Sequence, residues 1–407
     1  MDLSYSQENE DYRAKLQEFL KENWPLPESI GDMEARKAEF RRRATEAGYM
    51  FRAIPKEYGG SEQPSDFLKS EIIREELKRA NAPREPVNQG LGRVIPVLLA
   101  FGTEEQKKQW IPGIKSGEIT FSQGYSEPNA GSDLASLRTR GELRDGKWII
   151  NGQKIWSSHA HQNRYMVALI RTEDPVTHPR HHGISFMLID IENKPGVEIR
   201  PIKQLTGESE FCEVFFNDFE APEDAVIGGR GNGWKVSRTN LRFERAAFNS
   251  INWADVLIRR LVTTAKETIV NGKPAIEDLA IRADIARLQA KAMAMRYSAY
   301  RDLSMESAGE PSGNYTMTQK LYLTDMTHQM DRLTRELLAD DYLMLNPGEG
   351  KDGRKGNVKW AQNSLHSLKI AIGGGSSNIQ RNIIGERALG LPRDGVGVNA
   401  RSAGEKA

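Results

Sequence analysis

Two short runs carry the side chains most able to do chemistry: Tyr125 to Asp133, reading YSEPNAGSD, and Gln153 to Ser158, reading QKIWSS. Both bring small hydroxyls close together, and the second adds a tryptophan. Hydroxyls that can donate or accept, beside a broad aromatic face, suit a flat, polar, redox-active ring. A third run of similar specificity, GGGSSNIQRNIIGERALGLPRD, extends from Gly373 to Asp394. No side chain can take a hydride from an unactivated carbon, so redox chemistry at such a carbon requires a cofactor. The glycine-rich Gly228 to Lys235 is not a phosphate loop, because it lacks the Lys-Ser/Thr pair and a preceding parallel strand. It reads instead as an interdomain linker. His178, His181 and His182 cluster in a Pro-containing loop with no carboxylate to complete a ligand set, and His159 and His161 follow the tryptophan run. No metal site is expected from them.

The elements that must position these runs are legible from period and punctuation. Tyr12, Leu16, Phe19 and Leu20 repeat with a helical period, and Pro/Gly breaks near residues 24–27, 55–60 and 83–86 cut the first ~120 residues into several helices. The period then changes. Asp145-Gly146 and Asn151-Gly152 flank Lys147 to Ile150, and both dipeptides favour two-residue hairpin turns. A three-stranded meander from Thr139 to Trp156 is therefore expected. Further strands are expected at Tyr165 to Arg171, Ile184 to Ile191, Val197 to Ile202 and Cys212 to Phe216. After Gly233 the helical period returns. Ile281, Ile285, Leu288, Ala292 and Met295 advance by alternate steps of four and three, as do Met326, Met330, Leu333 and Leu337. Such stripes are the buried faces of long antiparallel helices in a four-helix bundle, with methionine as core filler. The fold class is α+β: an N-terminal helical domain (1–120), a small barrel-like β domain (121–228), a C-terminal helical bundle (229–395) and a tail (396–407).

Composition narrows the function classes. The 407 residues are 38% hydrophobic and 28% charged, as in ordinary globular proteins. A net charge of +1 gives no electrostatic reason for a nucleic-acid or anionic-membrane partner. The Arg41, Arg42, Arg43 run reads as a solvated helix face. Val94 to Phe101 is too short an apolar run to span a bilayer, and residues 1–4 do not begin a basic-then-apolar leader. One cysteine, Cys212, excludes an intrachain disulfide and fits a reducing cytoplasm, which is the expected location.

Taken together, and at their spacing, the three runs resemble the acyl-CoA dehydrogenase family, and the resemblance extends over nearly the whole chain. It implies the same layout of helices, β domain and bundle, FAD as cofactor, an acyl-CoA substrate and an electron-transfer flavoprotein as electron acceptor. It also implies that Tyr125 and Ser126 line the flavin ring, that Trp156 covers one side of it and that Ser158 lies near N5. Ser132 would meet the CoA portion, and Ser376 and Asn378 the FAD adenosine of a neighbouring subunit. That sharing implies a homotetramer or heterotetramer. Singly, each of these serines could be a turn residue and Trp156 ordinary core. The Arg-x-x-Phe pair that many members direct to the FAD pyrophosphate should fall near Asn271 to Pro274 and is absent.

The family's usual base is a glutamate in a C-terminal loop, and its position here is Gly374. A smaller branch carries the glutamate on a bundle helix, directly before an arginine, a fixed distance after a Gly-Trp/Phe step. Glu244 and Arg245 stand eleven and twelve residues after Gly233. They match that base and the arginine that meets CoA; read alone, Glu244 would be one more exposed helix carboxylate. Gly374 keeps the backbone N–H that would polarise the thioester carbonyl, and its missing side chain leaves room for a bulky, branched or cyclic acyl group. Two alternatives stay open: a non-catalytic or half-site subunit of a heterotetramer, and a flavin oxidase or monooxygenase on the same fold.

Overall fold

The computed structural model describes residues 6–64, 66–86, 88–178, 180–248, 251–307, 315–343 and 355–392; the side chains at 242–248 and 251–253, among a few others, lie outside that description. The tail 396–407 lies outside it as well. The chain divides into two compact units, residues 1–202 with 210–243, and residues 203–209 with 244–407.

The first unit opens with helices α1 (Gln7–Asn23), α2 (Met33–Glu46), α3 (Phe67–Arg79), α4 (Ile95–Phe101) and α5 (Glu104–Ser116). Short polar side chains start all but α4: Ser6, Asp32 and Asp66 each accept an amide three residues on, and Thr103 forms a capping box with Gln106. Leu16 and Leu20 are buried, with Tyr12 and Phe19 packed against the same core, as their spacing predicts. Of the arginine run, Arg42 is exposed and pairs with Glu39 and Glu46 on its own helix, as a solvated face would, whereas Arg41 and Arg43 are half-buried and donate to the Arg84 carbonyl and the Asn23 side chain.

Eight strands follow: β1 (Phe121–Gly124), β2 (Arg140–Arg144), β3 (Lys147–Ser158), β4 (Tyr165–Arg171), β5 (Ile184–Asp190), β6 (Val197–Pro201), β7 (Phe211–Pro222) and β8 (Val226–Ile227). They form one sheet in the order β6-β7-β3-β2-β4-β5-β8, with β1 parallel to β4. Side chains alternate between two buried faces. Val167, Leu169, Phe186 and Leu188 join the core of the helices, while Met166, Ala168, Ile170, Met187 and Ile189 join a second core with Trp148, Val214 and Phe216. This explains why β4 and β5 read as unbroken apolar runs in the sequence.

One expectation is corrected. Asp145 (φ 49°) and Gly146 (φ 75°) make the two-residue turn, but Asn151-Gly152 makes none. β3 runs straight through it as a twelve-residue strand and pairs with β7. The three-stranded meander is therefore one hairpin, β2–β3, with β7 on its far side. Two residues of β7, Asn217 and Asp218, bulge opposite Asn151, whose amide both donates to the Asp218 carboxylate and accepts the Asp218 N–H. An asparagine placed to satisfy a bulge has the same local sequence as one placed to make a turn.

Helix α6 (Gly233–Phe248) follows, then α7 (Ile251–Glu267), α8 (Leu279–Ser307), α9 (Tyr315–Leu338), α10 (Lys355–Ile370) and the short α11 (Ser377–Ile383). In the second unit, Ile285, Leu288, Ala292, Met326, Met330, Leu333 and Leu337 form one core with Leu257, Leu261 and Trp360. Met326 and Met330 are core filler, as read from the stripes. Thr327 and Thr334 are buried in α9 and return their hydroxyls to the carbonyl four residues earlier, so neither hydroxyl is stranded in the core. No helix among the described residues is long and apolar enough to cross a membrane.

Candidate active site

The two polar runs of the first unit meet through backbone and charge. The Ile155 N–H donates to the Ser126 carbonyl at 2.9 Å, laying the loop after β1 along the end of β3. At that point β3 bulges, since Lys154 pairs with Val214 and Ser157 with Cys212, leaving Ile155 and Trp156 opposite the single Glu213. Trp156 takes a left-handed φ of 61°, a strained conformation for a bulky residue. The bulge re-aims the indole. Trp156 is 56% exposed, with one edge-on aromatic neighbour, Phe211, at 6.0 Å. Ser126 and Ser158 are half-buried, and among the described residues neither hydroxyl has a hydrogen-bond partner. Tyr125 is buried, and its hydroxyl accepts from Asn240 Nδ2 at 2.6 Å.

Beneath this surface lies a buried ion pair that the sequence reading missed. Lys154 Nζ donates to Glu127 Oε1 at 2.8 Å and to the Tyr125 carbonyl at 3.3 Å. Glu127 also accepts the Thr139 N–H at 2.9 Å and the Arg138 N–H at 2.6 Å. Burial raises the Glu127 carboxyl, but the Lys154 charge and these N–H donors outweigh it and hold the carboxyl below its usual range. Burial pushes the Lys154 ammonium down to about 8, and Glu127 limits the fall. Both residues stand inside the two runs. The available signal was a lysine in step with the inward Trp148 and Ile150 of the same strand, with an acidic residue in the neighbouring loop.

Other site residues fall as follows. Ser132 is exposed in the turn before Asp133, which pairs with Arg180. Cys212 is buried beside His161 Nδ1 at 3.1 Å, and burial pushes its thiol up. Asn240 is buried on α6 with its Oδ1 unpartnered among the described residues. Glu244 and Arg245 lie one turn further along α6, and their side chains are outside the described residues.

In the second unit, Gly374 and Gly375 take φ values of 66° and 93°. The conformation at 374 is one that a glutamate would adopt only with strain. The Ser376 hydroxyl caps α11 by accepting the Ile379 N–H at 3.3 Å, and Asn378 is exposed in that helix's first turn. Within the first unit, the exposed indole, two unpartnered hydroxyls and the buried charge pair that fixes their loop suit a flat heteroaromatic ring with a polar edge, so these residues fit a flavin.

Comparison with known proteins bears on the family and the fold. Residues 6–118, 122–219 and 231–389 match the family models for the acyl-CoA dehydrogenase N-terminal, middle and C-terminal domains. The chain is 34% identical over 402 residues to acyl-CoA dehydrogenase IpdE1 of Mycobacterium tuberculosis, covering 96% of this chain and 100% of that one. It is similar to the ChsE4-ChsE5 complex from Mycobacterium tuberculosis, with 27% identity, a TM-score of 0.74 and coverage of 97% and 100%. It is equally similar to the Tcur3481-Tcur3483 steroid ACAD, with 28% identity, a TM-score of 0.74 and the same coverage.

Proposed function

The chain belongs to the acyl-CoA dehydrogenase family, and on that premise we propose that it uses FAD to desaturate a bulky, branched or cyclic acyl-CoA between its α and β carbons. The observation that carries this reading is the glycine at 374, held at φ 66°, together with a Glu-Arg pair in the alternative register on α6. The position of the usual base has neither a carboxylate nor a backbone suited to one.

FAD, when bound, supplies the acceptor for the β hydride. The chain's own residues do the rest. Glu244 takes the α proton; the electron pair left at the α carbon forms the new double bond as the β hydride leaves, so two electrons and one proton are accounted for. The Gly374 N–H donates to the thioester oxygen, whose charge grows as the α C–H breaks, which makes a very weak carbon acid reactive. Ser132 and Arg245 bind the CoA portion. Tyr125 and Ser126 would line the flavin ring, Trp156 would cover it and Ser158 would stand near its reacting edge. Ser376 and Asn378 would meet the FAD adenosine of a neighbouring subunit in a homotetramer or heterotetramer. An electron-transfer flavoprotein would be the electron acceptor. The three domains divide near residues 120 and 228, and the enzyme works in the cytoplasm.

The substrate class draws support from the small residue at 374 and from the likeness to a structure described as a steroid ACAD. Likeness to the ChsE4-ChsE5 complex supports a mixed assembly as the second reading. The test is a panel of acyl-CoAs added to the anaerobic purified protein. Cyclic and branched acyl groups are expected to bleach the oxidised-flavin absorbance at least tenfold faster than short straight ones. Preference for short straight chains would reject the substrate class, and a protein that carries no FAD would favour the half-site subunit.

A further inference from the structure

Residues 372–375 include three consecutive glycines, the segment with the greatest backbone freedom a chain can have. A hydrogen-bond donor that must meet a developing oxyanion needs the opposite property, a peptide plane fixed before the substrate arrives. The second unit shows how this freedom is removed. On the entry side, the Lys369 carbonyl accepts both the Ile372 and Gly373 N–H groups, at 3.1 and 2.8 Å. On the exit side, the Ser377 N–H donates to the Ala371 carbonyl at 2.9 Å. Between them two side chains hold consecutive carbonyls. Gln380, only 5% exposed, donates Nε2 to the Gly374 carbonyl at 3.3 Å. Lys320 of α9 donates Nζ to the Gly375 carbonyl. The Gln380 amide also fills the space a side chain at 375 would need, since a Cβ there would lie 2.6 Å from Nε2. Among the described residues, nothing accepts the Gly374 N–H.

We infer that Gln380 and Lys320 are positioning residues for catalysis: by clamping the Gly374 and Gly375 carbonyls they hold the triple-glycine loop in the one conformation that presents the Gly374 N–H to the thioester oxygen. The inference rests on the proposed role of Gly374. The structural arrangement is economical, because the carbonyl of a residue and its own N–H belong to adjacent peptide planes joined by one φ/ψ pair. Fixing the planes on the C-terminal side of Gly374, with Gly373 anchored before it, leaves the donor little room to turn. A glutamine does this without charge; the Lys320 ammonium adds a charge-assisted bond to the next carbonyl.

The experiment compares Gln380→Ala, Lys320→Met and the conservative Lys320→Arg with wild type, all as FAD-loaded protein. The probe is a 3-thia-acyl-CoA built on whichever acyl group bleaches the wild type most rapidly. Its sulfur replaces the β carbon, so it can lose the α proton but no β hydride, and the anion formed beside oxidised flavin gives a long-wavelength band. Clamping predicts that Gln380→Ala and Lys320→Met lose roughly 10- to 100-fold in kcat, the scale of a misplaced catalytic donor. KM should stay within about threefold, the long-wavelength band should weaken, and Lys320→Arg should recover most of both. Wild-type kcat and band in Gln380→Ala would overturn the clamp. A loss of kcat that only tracks loss of FAD or of melting temperature, with a wild-type band in the folded fraction, would also overturn it in favour of a structural role. A wild type that neither bleaches nor gives the band with any acyl group would instead overturn the dehydrogenase reading and the clamp with it.

Discussion

Trp156 shows at the scale of one residue how the site departs from ordinary folding rules. A bulky side chain at φ 61° and 56% exposure loses backbone energy and recovers little from burial, so the reason for it has to lie outside the free chain. Replacing it with glycine tests this. Glycine relieves strain worth about 1–3 kcal/mol and loosens the unfolded chain by a comparable but smaller amount. We expect Trp156→Gly to leave the melting temperature of the FAD-free protein within about 4 °C of wild type, while FAD affinity falls at least tenfold by equilibrium dialysis. A large loss of stability with unchanged FAD affinity would make Trp156 a core residue. The hydroxyls at 126 and 158 were legible from the sequence because small polar residues at that spacing are distinctive. Their orientation was not, because it depends on a bulge that no local pattern announces.

At the scale of elements, the loop after β1 and the end of β3 are joined by the Glu127–Lys154 pair, with both side chains at least nine-tenths buried. Removing one partner of such a pair leaves an uncompensated buried charge and costs about 3–5 kcal/mol. Lys154→Met and Glu127→Gln should each show a loss of that size in chemical denaturation. They should also lose FAD, because the same pair holds the Tyr125 carbonyl. The pH dependence follows from sign. The Glu127 carboxyl sits lower in the folded chain than its ordinary 4.5, so its contribution is complete above that value and disappears as pH falls through the folded one. Thermal melts of wild type should lose stability below about pH 4.5 more steeply than those of Glu127→Gln, which has no carboxyl to titrate there. Equal slopes would remove the pair from the account. Helix stripes and strand runs were legible because periods of 3.6 and 2 are local. The Asn151-Gly152 turn was misread because its partner, the bulge at Asn217 and Asp218, lies some sixty-six residues away.

At the scale of the whole molecule, the α+β layout and the family were legible because three spaced runs must all agree, which chance seldom arranges. The acyl group and the assembly were not, since they depend on pocket shape and on surfaces formed by more than one chain. If Ser376 and Asn378 complete a neighbour's FAD site, holding the cofactor is linked to assembly by mass action. FAD should then be released on dilution at the same protein concentration at which the oligomer dissociates, followed by flavin fluorescence and sedimentation in parallel. Release at unrelated concentrations would place the whole FAD site within one chain. The central claim is that the base has moved from the glycine loop to α6. Its most direct test is anaerobic mixing of wild type and Glu244→Gln, both loaded with FAD, with an acyl-CoA that bleaches the wild type. The account predicts that the variant keeps its flavin and binds the substrate but bleaches at least ~100-fold more slowly, the scale of a lost general base. Bleaching of Glu244→Gln at the wild-type rate would contradict it.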